Sequence, residues 1–161
     1  MNKHEILRLL EQSNISYNII EHPPVYTIED MDSFGMPHAD QIAKNLFIRD
    51  DKKRSYFLLT IQKDKTVNLK ELRNLLHSRP LSFASEDDLS NYLGLKKGAV
   101  SPFGILNDTD RKVEVIMDED LFPLINIGIH PNENTATLWL ALEDLLSVIK
   151  NHGNTVSVIK I

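Results

Sequence analysis

The sequence predicts an α+β fold: a single compact domain in which a mixed, largely antiparallel sheet is flanked by helices. Three observations lead there. Short β-rich runs and short amphipathic helices interleave without the regular alternation of a βαβ protein. The length, 161 residues, suits one domain over residues 1–161, large enough to bury a sizeable core. No internal repeat, low-complexity stretch or linker-like segment divides it.

Residues 2–14 carry Ile6, Leu7, Leu9 and Leu10 on a helical stripe that stops at Ser13-Asn14, so the chain opens with an amphipathic helix. A short strand over residues 17–21 follows. His22-Pro23-Pro24 continues neither a helix nor a central strand, because prolines lack a donor and restrict their predecessors. Thr27 then caps a short helix over residues 28–33. Asn45 to Arg49 and Tyr56 to Ile61 are β-rich and flank the charged stretch 50–54, the pattern of a hairpin. Asn68 caps a helix through His77 with its leucines inward, and Leu81 to Ala84 is a brief strand. Ser85-Glu86-Asp87-Asp88 is a capping-box start for a helix that ends at Gly94, and residues 96–103 read as a loop. Further strands are expected at 112–117, 124–129, 135–140 and 156–161, with a turn of helix at 119–122 and a full helix over 142–151.

Composition narrows the chemistry. With no cysteine there is no disulfide, thiolate nucleophile or Cys-ligated metal site. No apolar run reaches the ~18 residues of a membrane span, and the N-terminus lacks a signal-peptide core, so a cytoplasmic protein without a membrane partner is expected. The net charge of −5 conceals an asymmetry. Residues 44–97 hold 12 Lys/Arg against 7 Asp/Glu, whereas both flanking segments are acidic. That basic third can attract a phosphate backbone locally, although solvated strand edges and helix faces explain the same charges.

The sequence lacks a P-loop, a G-x-G-x-x-G turn, a G-x-S-x-G elbow and an H-E-x-x-H pair. Its six histidines show no ligand spacing, so no metal and no cofactor are expected. Glu86-Asp87-Asp88 is accounted for by its place at a helix start, where carboxylates favour the dipole.

Three segments exceed what local structure requires: Ala43-Lys44-Asn45-Leu46-Phe47-Ile48-Arg49, Gly98-Ala99-Val100-Ser101-Pro102-Phe103-Gly104 with Asn107-Asp108, and His130-Pro131-Asn132 with Asn134-Thr135-Ala136-Thr137. Together they resemble the YbaK/ProX family of aminoacyl-tRNA deacylases. His22-Pro23-Pro24-Val25-Tyr26-Thr27 and Leu81-Ser82-Phe83-Ala84-Ser85 look like its freestanding ProX-type members, and the likeness runs in order along essentially the whole chain.

The resemblance implies a YbaK/ProX-like fold and a trans-editing esterase that protects translation fidelity by removing a wrong amino acid from tRNA, alanine from Ala-tRNA(Pro) first. It implies the acceptor 3′ end of tRNA(Pro) as partner and prolyl-tRNA synthetase as a further one; the oligomeric state stays unassigned. It places Lys44 at the terminal adenosine and its phosphate, Gly98 in a loop around the scissile carbonyl, and His130 in the amino-acid pocket, with general-base work as its alternative. Ser101 and Pro102 belong to the same loop; without an adjacent base, Ser101 positions a water or closes a turn rather than attacking. Tyr26, Thr27 and Phe47 line the pocket or belong to the core, which sequence does not separate. The competing readings are a non-catalytic tRNA- or nucleotide-binding module and a deacylase for another small amino acid, serine or cysteine.

Overall fold

The computed structural model describes all residues 1–161. The helices begin where the sequence supplies caps. α1 (Lys3–Gln12) starts in a capping box between Asn2 and Glu5, α2 (Ile28–Ser33) in one between Thr27 and Asp30, and α4 (Glu86–Asp88) in one between Ser85 and Asp88. The Asn68 side chain accepts from the first-turn N–H groups of α3 (Leu69–Leu76). α5 (Leu142–His152) ends on Gly153, whose φ of +104° is left-handed. α4 does not continue as a plain α-helix to Gly94: a π turn over Leu89–Leu93 completes it.

The strands are β1 (Tyr17–Glu21), β2 (Ala43–Asp50), β3 (Tyr56–Gln62), β4 (Leu81–Phe83), β5 (Val113–Asp118), β6 (Asn126–Ile129), β7 (Ala136–Ala141) and β8 (Val156–Ile159). They confirm the α+β class but form two sheets where the sequence suggested one. A three-stranded antiparallel sheet has the order β1-β7-β6, and a five-stranded sheet has the order β4-β2-β3-β5-β8. In the larger sheet β2 is antiparallel to both neighbours, while β3-β5 and β5-β8 are parallel. Strand-forming residues advertise a strand and not its partner; the partner follows from which apolar faces meet.

The main core lies between the sheets. Leu138, Leu140, Ile127 and Ile129 of the smaller sheet join Phe47, Leu58 and Val115 of the larger one, with Ile6 and Leu10 of α1 and Leu145 and Ile149 of α5. A second cluster, in which Leu59 and Ile61 of β3 meet Leu72 of α3, covers the other face of the larger sheet. β3 is therefore buried on both faces, which accounts for its apolar run from Tyr56 to Ile61, interrupted only by Thr60.

Two 3-10 turns had no counterpart in the sequence reading, at Ala39–Gln41 and Pro102–Asn107. The second is legible in retrospect. Ser101 accepts from the Phe103 N–H and Pro102 occupies the first helical position, where its missing donor costs nothing.

Candidate functional site

β4 pairs only with Ile48–Asp50, so the first half of β2 has β3 on one side and no strand on the other. On that open side a single bridge, Ile42 to Gly128, joins the two sheets. A cleft of about 600 Å³ opens there. Its walls are the start of β2, the end of β6, Thr137 of β7, the segment from Val25 into α2, the turn 63–66 and the Gly98 loop.

Three lysines line the cleft, and two are committed to acids. Lys63 pairs with Asp32 of α2 at 3.2 Å. Lys65 reaches Asp118 at 2.9 Å and Asp120 at 2.6 Å. Burial alone would lower the Lys65 pKa, but the hydrogen bonds it donates to Asp120 and Asp118 outweigh it and hold the ammonium above the ordinary lysine value. Lys44 has no acidic partner. Its Nζ donates to the Lys65 carbonyl at 3.0 Å and keeps two donors for a ligand. The strand begins at Ala43, two residues earlier than its β-rich run suggested, so Lys44 projects from a paired strand position opposite Ile61.

Gly98 has φ +87°, and a Cβ there would lie 2.7 Å from the Tyr26 ring, so both conformation and space require glycine. Tyr26 covers it while remaining 65% exposed at the mouth of the cleft. Neither the Gly98 nor the Val100 N–H has an acceptor within the chain.

His130 follows β6 and lines the cleft. Its Nδ1 lies 2.8 Å from the Ala136 carbonyl, an acceptor only, so Nδ1 carries the proton. Burial pushes the imidazole pKa below its usual 6.5, partly opposed by the Ala136 hydrogen bond and reinforced by His22. His130 is thus neutral, with a bare Nε2.

The structure brings Lys44, Gly98, His130, Tyr26 and Thr27 to one cleft and leaves three expected contacts outside it. Phe47 is a core residue: alternation along β2 turns it inward, where it stacks on Tyr56 with centroids 5.6 Å apart. Ser101 is fully buried and its hydroxyl caps the following 3-10 turn. Pro102 is buried as the first residue of that turn. In a loop that curls back on itself, Gly98 and Val100 face the cleft and the residues after them face the core.

His22 and Thr137 are additions that sequence reasoning missed as site residues. The His22 Nε2 lies 2.8 Å from Thr137 Oγ1, and its ring centroid is 6.1 Å from that of His130. They meet only through the pairing of β1, β7 and β6, which no local pattern announces.

No three His, Asp or Glu side chains are gathered so as to hold a metal ion, and no helix is long and apolar enough to cross a membrane.

A cleft that gathers an uncommitted cation, unpaired backbone donors and a neutral imidazole suits a phosphate-bearing ester. The model of the aminoacyl-tRNA editing domain family matches residues 22–148. The chain belongs to that family. As an aminoacyl-tRNA editing protein it is a hydrolase that cleaves the ester between an amino acid and tRNA.

Its relatives include the prolyl-tRNA editing protein ProX of Acetoanaerobium sticklandii, 46% identical over 99% of this chain and 97% of that one. The prolyl-tRNA synthetase associated domain-containing protein 1 of Danio rerio is 34% identical over 94% of this chain and 83% of that one. Similarity also extends to a part of the proline–tRNA ligase of Bacillus subtilis, 29% identical over 71% of this chain and 19% of the ligase. A solved structure assigned provisionally as a trans-editing enzyme for prolyl tRNA synthetase shares the fold, with a TM-score of 0.72 and 20% identity over 99% of this chain and 96% of that one.

Proposed function

We propose that this editing domain removes alanine from mischarged tRNA(Pro). The observation that carries the reading is the uncommitted Lys44 ammonium in the same cleft as Gly98 and His130. The likeness to a prolyl-tRNA editing protein over nearly the whole chain supports the choice of tRNA.

In this reading Lys44 holds the phosphate of the tRNA 3′ end by a charge-assisted hydrogen bond. The Gly98 loop surrounds the scissile carbonyl, and its free N–H groups receive the negative charge that develops on the oxygen. His130 closes the amino-acid end. An aminoacyl ester is labile, so positioning a water and stabilising the oxyanion are sufficient chemistry without a triad, and the ribose hydroxyl of the substrate can assist. A synthetase pocket distinguishes amino acids that differ by one methylene by only ~1–3 kcal/mol. A second sieve that admits alanine and excludes the proline ring supplies the remainder. Prolyl-tRNA synthetase, the source of the mischarged product, is the natural partner in this scheme.

The test is hydrolysis of alanyl-tRNA(Pro) beside prolyl-tRNA(Pro), with wild type and Lys44→Ala in parallel. Loss of alanine alone, greatly slowed in the variant, is expected. Retention of both esters by the wild type would sink the alanine and tRNA(Pro) assignment, and seryl- and cysteinyl-tRNA would then be the next substrates.

A further inference from the structure

Two polar side chains that line the cleft, Thr137 and His130, are both fixed as acceptors. Nδ1 of His22 lies 2.8 Å from the Pro23 carbonyl and must donate to it. In the neutral ring Nε2 is then bare, and at 2.8 Å from Thr137 Oγ1 it accepts the threonine proton. The other candidate for that proton, the Met31 sulfur, is a weak acceptor 4.0 Å away. With its single hydrogen spent on His22, Thr137 Oγ1 has only lone pairs to offer the cleft that the residue lines.

His130 has the same polarity. Nδ1 is spent on Ala136, and Nε2 has no partner in the chain. The polar side-chain atoms sealed from solvent without a partner are Arg49 Nε, Asn132 Oδ1 and Trp139 Nε1, so His130 Nε2 is open to the cleft. Continuing the β6–β7 register by one position beyond the Ile129–Leu138 pair sets His130 opposite Thr137. Cross-strand partners hold their Cβ atoms about 5 Å apart on one face of the sheet. The low basicity of His130 keeps this arrangement neutral.

An aminoacyl ester presents one group made only of donors, the α-ammonium. Lys44 and the Gly98 loop offer donors and suit the phosphate and the carbonyl, whereas Thr137, which is buried, and His130, which is half-buried, offer acceptors with no other claim on them. The carboxylates of the cleft compete poorly, since Asp32 is engaged by Lys63, Asp64 is exposed and accepts from the Gln62 amide, and Glu29 is exposed.

We propose that His130 Nε2 and Thr137 Oγ1 form the subsite for the α-ammonium of the aminoacyl group, and that His22 is a positioning residue that keeps the Thr137 hydroxyl turned away from it. The inference rests on the editing reading above and adds which end of the amino acid these two residues recognise.

The experiment compares alanyl-tRNA(Pro) with propionyl-tRNA(Pro), the same ester with hydrogen in place of the ammonium. Taking each variant relative to wild type on the same substrate cancels the intrinsic reactivity of the two esters. Thr137→Val and His22→Leu should lower kcat/KM on the alanyl ester by about tenfold or more, the range of a lost charge-assisted hydrogen bond, and leave the propionyl ester within about twofold. Thr137→Ser and His22→Gln, which keep an oxygen for the ammonium and an acceptor for the hydroxyl respectively, should retain alanyl activity. Equal losses on the two esters would reduce Thr137 and His22 to structural roles and overturn the proposal. So would a selective alanyl defect in Glu29→Gln and none in Thr137→Val. A wild type that hydrolyses neither ester would instead remove the alanine and tRNA(Pro) reading on which the proposal stands.

Discussion

Lys44 is available because its neighbours are not. Lys63 and Lys65 are occupied by aspartates, and the one contact of the Lys44 ammonium is a backbone carbonyl that directs it without neutralising it. Lys44→Ala should therefore slow deacylation by about ten- to a hundredfold, the worth of a hydrogen bond to a charged group, with an unchanged melting temperature. Lys44→Arg, which keeps the charge but not the point geometry, should fall between. His130 predicts an acid limb. Its folded pKa lies below the unfolded value near 6.5, so the unfolded chain takes up the proton first. The stability it contributes is complete above pH 6.5 and is lost as pH falls below that value. Melting temperature should decline there, and less so in His130→Gln; activity should fall over the same window as Nε2 loses its lone pair. Gly98→Ala should cost about 1 kcal/mol or more in chemical denaturation and displace Tyr26, because a left-handed φ and a ring 2.7 Å away both oppose a Cβ. At this scale the sequence was informative where a residue type carries the chemistry, as for Lys44, Gly98 and His130. It was silent on Phe47 and Ser101, whose side-chain directions depend on β2 alternation and on a 3-10 turn.

The elements that hold Lys44 are tied to buried charge. The turn after β3 carries both the carbonyl that Lys44 touches and the Lys65 ammonium. That ammonium is pinned to Asp118 at the end of β5, whose side chain is fully buried and also accepts from the Gln62 and Asp120 N–H groups. Lys65→Met would leave a buried carboxylate without its cation, a loss of about 3 kcal/mol or more by analogy with other broken buried pairs. Lys44 should lose its fixed position in the same variant, so activity per folded molecule should also fall. Asn68→Ala is the contrast. Its Oδ1 caps α3 through the Lys70 and Glu71 N–H groups, and no α3 residue lines the cleft. It should cost about 1 kcal/mol of stability with catalysis per folded molecule unchanged. Caps such as Thr27, Asn68 and Ser85 were legible because they are local exchanges between a side chain and the next turn. The division into two sheets was not, since β1 finds β7 more than a hundred residues away. His22 and Thr137 were hidden for the same reason.

At the scale of the whole molecule, an acidic protein acts on a polyanion. Of the twelve cations in the basic third, four are neutralised, by Arg49–Asp88, Lys63–Asp32, Lys65–Asp118 and Arg79–Asp51, and of the other eight only Lys44 lines the cleft. Binding of tRNA should therefore weaken with salt only gently, with a log–log slope of about −1 to −3 for one to three phosphates contacted. A slope near −10 in a binding titration would contradict so local a grip. The charge asymmetry was readable from the sequence, but which of those cations are neutralised was not, because each ion pair joins residues from separate elements. The Ile42–Gly128 bridge, finally, makes the cleft a seam between two plates that are each held together elsewhere. A Cβ on Gly128 would press on the Trp139 indole at 2.8 Å and on Ile42 at 3.1 Å, wedging the seam at its base. Such a shim would alter the width of the chamber without replacing Lys44, Gly98 or His130. An ancestral scaffold could thus be regauged for a larger or smaller cargo by changing its spacing, with the tools that cut the ester left untouched.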